Sequence, residues 1–334
     1  MTNRSAAQFI KKKSQRTSVD WDNPRPAFPR EVFFDISNAC NHTCVFCSNT
    51  KISQRANMDK SLAFRLLDEC KANGTTDVGL YATGEPFVRK DLVEFVAYAK
   101  KIGIEYVFIT TNAALATPER AKPVLDAGVD SIKFSVNAGT RESYKKIHGC
   151  DDFDKVIEHI KWFHAYREKS GLSYGLYFSM VPTRLSEGEW PILQKLLEPY
   201  TDADDLRGCS NQGGNMYENN ATEKVDKNNI LGSMLPGQKV GKCPDPFFRC
   251  TITPQGFMTT CVVDYQNYLC VADLSSMSMK DAWHNDRFVR LRERHISGDL
   301  KGLICHNCLG NCDAPAAPLV PEFARPFAPE APKP

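Results

Sequence analysis

Three cysteines fall at Cys40, Cys44 and Cys47, a C-x3-C-x2-C spacing directly after the apolar run Val32–Ser37. Three thiolates within eight residues can wrap one face of an iron–sulfur cubane and leave the fourth iron without a protein ligand. An open coordination site is what a metal needs in order to bind and activate a substrate. A structural zinc would instead want a fourth ligand and closed tetrahedral geometry. His42 is the nearest candidate, but it sits between two of the cysteines, where one short loop would struggle to aim four groups at one ion. A cluster that only transfers electrons would want four cysteines. Of the 13 cysteines, three lie between 40 and 47 and seven between 243 and 312, so they are clustered rather than scattered. No apolar segment follows the charged N-terminus as a secretory signal would require. We therefore expect a leaderless cytoplasmic chain with reduced thiols, in which clustered cysteines are metal ligands rather than disulfides.

The second set is Cys243-x12-Gly256-x4-Cys261, then Cys305-x2-Cys308 and Cys312. A hairpin with one cysteine at each base, facing a later C-x2-C, can bring four thiolates to one point. Taken alone, that pattern also describes a zinc ribbon.

Taken together, the two sets resemble the radical S-adenosylmethionine (radical SAM) enzymes. The C-x3-C-x-aromatic-C loop after the first barrel strand is the signature of that superfamily, and Phe46 fills its aromatic position. Thr83-Gly84-Glu85-Pro86 looks like the family's GGEP motif with Thr in place of the first Gly. The C-terminal set resembles the extension called SPASM, or its shorter form Twitch. It includes Leu-Ser-x-Met-x-x-x-Asp-Ala-Trp at 274–283 but lacks the further cysteines of a full SPASM set. The resemblance implies a [4Fe–4S] cluster on Cys40, Cys44 and Cys47 that binds S-adenosylmethionine and cleaves it to a 5′-deoxyadenosyl radical. It implies one auxiliary [4Fe–4S] cluster on Cys243, Cys261, Cys305 and Cys308, with Cys312 or Cys250 as possible replacements. Phe46, Gly84, Glu85 and Pro86 would bind the cofactor, together with Thr111, Asn112, Ser135 and Asn137 at the ends of strands. Cys209 and Cys250 are candidate hydrogen-atom donors. Cys70 and Cys150 read as ordinary thiols.

These loops need a scaffold. Strands are expected at Val32–Ser37, Asp77–Ala82, Tyr106–Thr110, Ser131–Val136, Tyr174–Val181 and Asp204–Arg207. Helices are expected at Ser61–Asn73, Asp91–Lys101, Pro118–Ala127, Phe153–Glu168 and Glu187–Leu197. Six βα units are fewer than the eight of a complete barrel. The fold class is therefore α/β, a partial (β/α)6 barrel over 31–208 with a small Cys-rich C-terminal domain of hairpin and helix over 243–312. The hairpin is expected at Thr251–Thr260 and the helix at Lys280–Arg294. Residues 1–30 read as a loose arm and 209–242 as a long loop or linker. Within that loop Asn211, Asn215 and Tyr217, with Arg207 before it, could meet a polar ligand. Seven of the last 20 residues are proline, so 313–334 reads as a disordered tail.

Composition narrows the function. With 42% hydrophobic and 25% charged residues the chain can build a sizeable core. A net charge of +2, from 42 basic and 40 acidic residues, argues against a nucleic-acid-binding or membrane-surface protein. No run of 18 apolar residues exists to span a bilayer. The resemblance implies an oxidoreductase that dehydrogenates a small polar substrate, such as an amino sugar, an aminocyclitol or a nucleoside-like molecule. A flavodoxin or ferredoxin-type protein would supply electrons. Epimerisation and peptide or protein modification are the alternatives within the family, and a zinc-dependent nucleic-acid-interaction protein the alternative outside it.

Overall fold

The structure is a computed structural model that describes residues 19–208, 210–216, 243–310, 312–325 and 327. One nine-stranded sheet runs through it in the order β6-β5-β4-β3-β2-β1-β7-β8-β9. The first six strands are Glu31–Phe34, Asp77–Gly79, Tyr106–Thr111, Ser131–Ser135, Gly175–Met180 and Ala203–Leu206, and each pairs in parallel with the next. This is the expected partial barrel. Its helices α1 to α6 are Lys60–Ala72, Leu92–Lys101, Pro118–Asp126, Arg141–His148, Phe153–Ser170 and Trp190–Leu197. Arg141–His148 was not expected from periodicity. Thr140 caps its start by accepting from the Ser143 amide, and Gly149 closes it in the left-handed conformation.

Strand periodicity sorts the side chains. In Ser131–Ser135, Ile132 and Phe134 pack into the helix-covered core, while Ser131, Lys133 and Ser135 alternate onto the other face. Register carries that second face across the sheet, because Lys133 stands beside Tyr177, and Ser135 beside Ser179, which in turn stands beside Asp205. The concave interior is thus polar at its open, C-terminal edge.

The C-terminal module is spliced into the same sheet. Its first strand, β7 (Arg249–Ile252), runs parallel to β1, with Glu31 opposite Arg249 and Phe33 opposite Thr251. A turn over Thr253–Gly256 then leads to antiparallel β8 (Phe257–Thr259) and β9 (Cys270–Asp273). Gly256 has φ +87°, and a Cβ there would lie 2.7 Å from Leu62 of α1, so turn and barrel helix meet only because this residue is glycine. The helix expected over Lys280–Arg294 is two helices, Met279–His284 and Asp286–Ser297. Asn285 breaks them apart with an extended backbone, and its side chain accepts from the Phe288 amide as the cap of the second.

Both chain ends differ from expectation where they are described. Residues 19–30 are docked rather than loose. The Trp283 indole donates to the Pro26 and Ala27 carbonyls, Trp21 packs edge-on against Phe247, and buried Arg292 donates to Pro24 O. The start of the proline-rich tail is also docked. Leu319 N donates to Tyr268 O, Val320 is buried, and Arg325 N donates to Gln266 O. Proline removes donors from a segment but leaves its carbonyls and remaining amides free to pair with loops that have unpaired groups of their own. Among the described residues, no helix is long and apolar enough to cross a membrane.

Candidate active site

The first cysteine loop leaves β1 at its C-terminal end and is braced on every side. Asn49 Nδ2 donates to Asn38 O and Thr83 O, and Arg55 donates to Asn38 O and to the Asn49 side chain. Gly84 lies so close to the 37–39 backbone that a Cβ would come within 2.6 Å of Ala39 O. That approach, sealed by the Glu85 N to Ala39 O bond, fits the GEP segment beneath the loop. Three donors meet the Glu85 carboxylate there: Oε1 accepts from Phe87 N and Thr111 Oγ1, and Oε2 from Asn112 N. It clips the ends of β2 and β3 together, and burial raises its pKa despite these donors. Pro86 is the first residue of a short 3-10 helix. Asn112 in turn donates to the Asn41 side chain and stands 3.9 Å from Cys40 Sγ. Asn137, at φ +61°, accepts from Val181 N and approaches His148 Nε2, so its amide ties β4 to β5. Ser135 stays on the interior face, beside Ser179.

Each sulfur of the first trio meets a different neighbour. Cys40 faces Asn112, Cys44 Sγ is 3.4 Å from His148 Nδ1, and Cys47 Sγ is 3.3 Å from the Tyr265 hydroxyl. His148 Nε2 lies 2.7 Å from Val136 O, so that nitrogen carries the hydrogen; burial pushes the ring's pKa down to about 3 and keeps it neutral. His42 Nδ1 stands 3.1 Å from His148 Nδ1 and its Nε2 3.4 Å from Asp152, so His42 is turned toward those groups. Among the described residues, the groups whose ligand atoms lie within 4.8 Å of one another are His42–Cys44–His148 and His42–Cys150–Asp152. The three cysteine sulfurs are not such a group. One tetrahedral zinc with 2.3 Å bonds would draw its sulfurs to about 3.8 Å apart. The wider spread suits a multi-iron cluster. Burial raises all three pKa values; repulsion from Glu85 and Cys47 adds to it at Cys40, pushed up to about 12, and repulsion from Cys47 and Cys40 at Cys44. A cationic metal centre reverses that penalty, so the donor set fits the cluster.

The sulfurs of the second set lie within electrostatic reach of Asp245. Burial raises the thiols of Cys243, Cys261 and Cys305, and they repel one another as well as Cys308, whose own pKa is pushed up to about 11 by burial. Cys312 is turned away, donating to Asn307 Oδ1. Cys305 and Cys308 ride on the helix Ile304–Gly310, and Asn307 between them binds Gly213 O and Ala314 O.

Two sequence candidates are corrected. Cys250 is fully buried on β7 beside Val32, on the helix-covered face, next to Cys70 and within the field of Arg292. It sits in the core and faces no substrate space, so it is not a hydrogen-atom donor, and it lies outside the cysteine quartet. Asn211, expected to meet a ligand, is buried and structural: it accepts from Gly213 N and donates to Asn307 O. Asn215 offers its carbonyl to Lys51 Nζ at 2.6 Å. Cys209 and Tyr217 lie outside the described residues.

Sequence reasoning missed four residues. Gln212 donates to Phe46 O and accepts from Ser48 N, holding the peptides on either side of Cys47. Tyr265, four residues after Cys261, reaches the same cysteine from the C-terminal module. Lys133 and Asp205 face one another inside the barrel at 3.9 Å, with Arg207 Nε on Asp205 at 2.5 Å. The alternating polar residues of Ser131–Ser135 were the available signal for Lys133; nothing local marks the other three.

Comparison with known proteins agrees with this geometry. The sequence profile of the radical SAM superfamily matches residues 34–189, and that of the SPASM iron–sulfur cluster-binding domain matches 243–309. A probable GTP 3′,8-cyclase of Saccharolobus solfataricus is 38% identical over 127 residues, which are 38% of this chain and 41% of that protein. A probable GTP 3′,8-cyclase of Metallosphaera sedula is 31% identical over 131 residues. The chain thus matches about two fifths of the length of these curated relatives. Among solved structures, SuiB of Streptococcus suis bound to S-adenosylmethionine superposes with a TM-score of 0.67 at 17% identity, covering 93% of this chain and 76% of that one. BtrN in complex with AdoMet and 2-DOIA gives 0.56 at 16% identity, covering 88% and 98%. These likenesses show the fold. The chain carries a radical SAM domain over 34–189 and a SPASM iron–sulfur cluster-binding domain over 243–309. Domains of these two kinds imply S-adenosylmethionine, a [4Fe–4S] cluster and auxiliary iron–sulfur as cofactors.

Proposed function

We propose that the enzyme oxidises a small polar substrate, and that a single auxiliary cluster on Cys243, Cys261, Cys305 and Cys308 takes up the second electron. The observation that carries this reading is the contact of Tyr265 with Cys47, which sets the quartet's module directly against the trio's loop. When bound, the first cluster and S-adenosylmethionine supply one-electron cleavage of the sulfonium and hydrogen-atom abstraction, and the second cluster an acceptor for one further electron. Four thiolates leave that second centre no open position for substrate. The chain's own residues do the rest. Cys40, Cys44 and Cys47 hold the first centre. Glu85 fixes the strand ends on which the cofactor lies, with Phe46, Gly84, Pro86, Thr111, Asn112, Ser135 and Asn137 around it. Lys133, Asp205 and Arg207 give the chamber fixed charges of both signs, which suits a substrate with hydroxyl and amino groups. Asp205 is placed to hold the proton that an alcohol or amine gives up on oxidation. A flavodoxin or ferredoxin-type protein would deliver the first electron.

The test is anaerobic turnover with deuterated amino sugars, aminocyclitols and nucleosides, following deuterium into 5′-deoxyadenosine. A Cys261→Ala/Cys308→Ala variant, shown by circular dichroism to be folded, should still abstract hydrogen from the accepted substrate but release no oxidised product. If it forms product at the parent rate, the reaction is redox-neutral and the auxiliary centre structural.

A further inference from the structure

The Tyr265 hydroxyl lies 3.3 Å from Cys47 Sγ, yet Tyr265 belongs to the other module, in the loop between Cys261 and β9. It is 5% exposed, and its position is fixed from both sides. Arg325 donates to its carbonyl through Nε at 3.2 Å and Nη2 at 2.8 Å. The preceding residue, Asp264, accepts from Thr259 Oγ1, Tyr268 N and Leu269 N at 2.7 to 2.8 Å. Five hydrogen bonds therefore hold the backbone that carries the ring, and burial confines the ring beside the sulfur. Cys47 must be a thiolate in order to ligate iron, so the hydrogen in this contact belongs to the phenol.

Hydrogen bonds to ligand sulfurs are among the means by which a protein sets the potential of an iron–sulfur cluster. The reduced cluster carries one more negative charge, so a donor aimed at a ligand favours reduction. The neighbours of the other two sulfurs differ. His148 presents to Cys44 the nitrogen that does not carry its hydrogen, and Asn112 Nδ2 stands 3.9 Å from Cys40. We infer that Tyr265 is a positioning residue of the C-terminal module that donates to Cys47 and raises the reduction potential of the first cluster. The module thereby acts on the step that consumes S-adenosylmethionine, besides whatever its own cluster does.

This inference rests on Cys47 as a cluster ligand and not on the reaction being an oxidation, so failure of the oxidation assay would leave it standing. The experiment is Tyr265→Phe in the doubly loaded enzyme, titrated against redox dyes and followed by electron paramagnetic resonance. The first cluster is identified as the signal that changes when S-adenosylmethionine is added. The expected result is a reduction equilibrium about tenfold less favourable at that cluster, about 59 mV lower for one electron, with the auxiliary signal unmoved and the iron content retained. An unshifted first cluster overturns the inference. So does an equal shift at both clusters, which is general loosening, and so does loss of iron from the first site, which makes the hydroxyl an assembly element instead.

Discussion

Glu85 shows how one buried carboxylate can join the ends of two strands. Its two oxygens already accept from Phe87 N, Thr111 Oγ1 and Asn112 N. Glu85→Gln would turn an amide NH2 toward at least one of these donors. A hydrogen bond to a buried charged group is worth roughly 1.5–3 kcal/mol. The variant should melt several degrees lower, and it should bind S-adenosylmethionine more weakly because the ends of β2 and β3 spread. Thermal unfolding and anaerobic equilibrium binding read the two effects, and an unaltered melting temperature contradicts the clip. Cys250 gives the opposite expectation. As a core thiol its removal in Cys250→Ala should cost about 1 kcal/mol for the small void left behind, with product formation preserved. A folded variant that abstracts hydrogen yet forms no product would return the thiol to the reaction.

At the scale of elements, the segment 210–216 matters most for the first loop. Gln212 spans Phe46 O and Ser48 N with one side chain, so Gln212→Ala should leave both peptides unpaired. Iron in the first site should then be lost to a chelator faster than in the parent, while the second site's rate is unchanged. Equal rates at the first site would show that the 48–52 turn and Arg55 suffice. This scale also shows what the sequence discloses. The three-residue grammar of C-x3-C-x2-C, the βα alternation and the Gly-bearing hairpin are local signals, and the elements built on them lie within a few residues of where they are expected. Helix Arg141–His148 escaped notice because RESYKKIH carries just two large apolar side chains, Tyr144 and Ile147. Tyr265 and Gln212 meet Cys47 and its neighbours across 218 and more than 160 residues of chain. Such partners are chosen by tertiary packing, and no periodicity records them.

For the whole molecule, the two cysteine sets set the metal content. Anaerobically reconstituted enzyme should hold about eight irons per chain, four in each cluster. Replacing Cys40, Cys44 and Cys47 with Ala should leave about half, and so should replacing Cys261 and Cys308. Stoichiometric zinc without the broad visible absorption of iron–sulfur centres would exclude both clusters. The C-terminal module shares the buried core through Ile252, Met258, Trp283 and Phe288, so the second replacement should leave the circular dichroism spectrum near that of the parent.

The pairing of β7 with β1 sets a timetable for the protein's synthesis. β1 is among the first elements to leave the ribosome, but one of its two neighbours arrives 218 residues later, opposite Glu31. Until Arg249–Ile252 emerges, the strand that launches the cysteine loop has one bare edge, an invitation to pair with another chain. Long-range parallel pairings of this kind form slowly. Iron offered to Cys40, Cys44 and Cys47 during that interval would meet a loop still missing Tyr265 and its other late brace, Gln212. The strand that carries the first cysteine loop is therefore translated long before its sheet is closed, and loading of the loop's metal has reason to wait for Arg249–Ile252 and Tyr265.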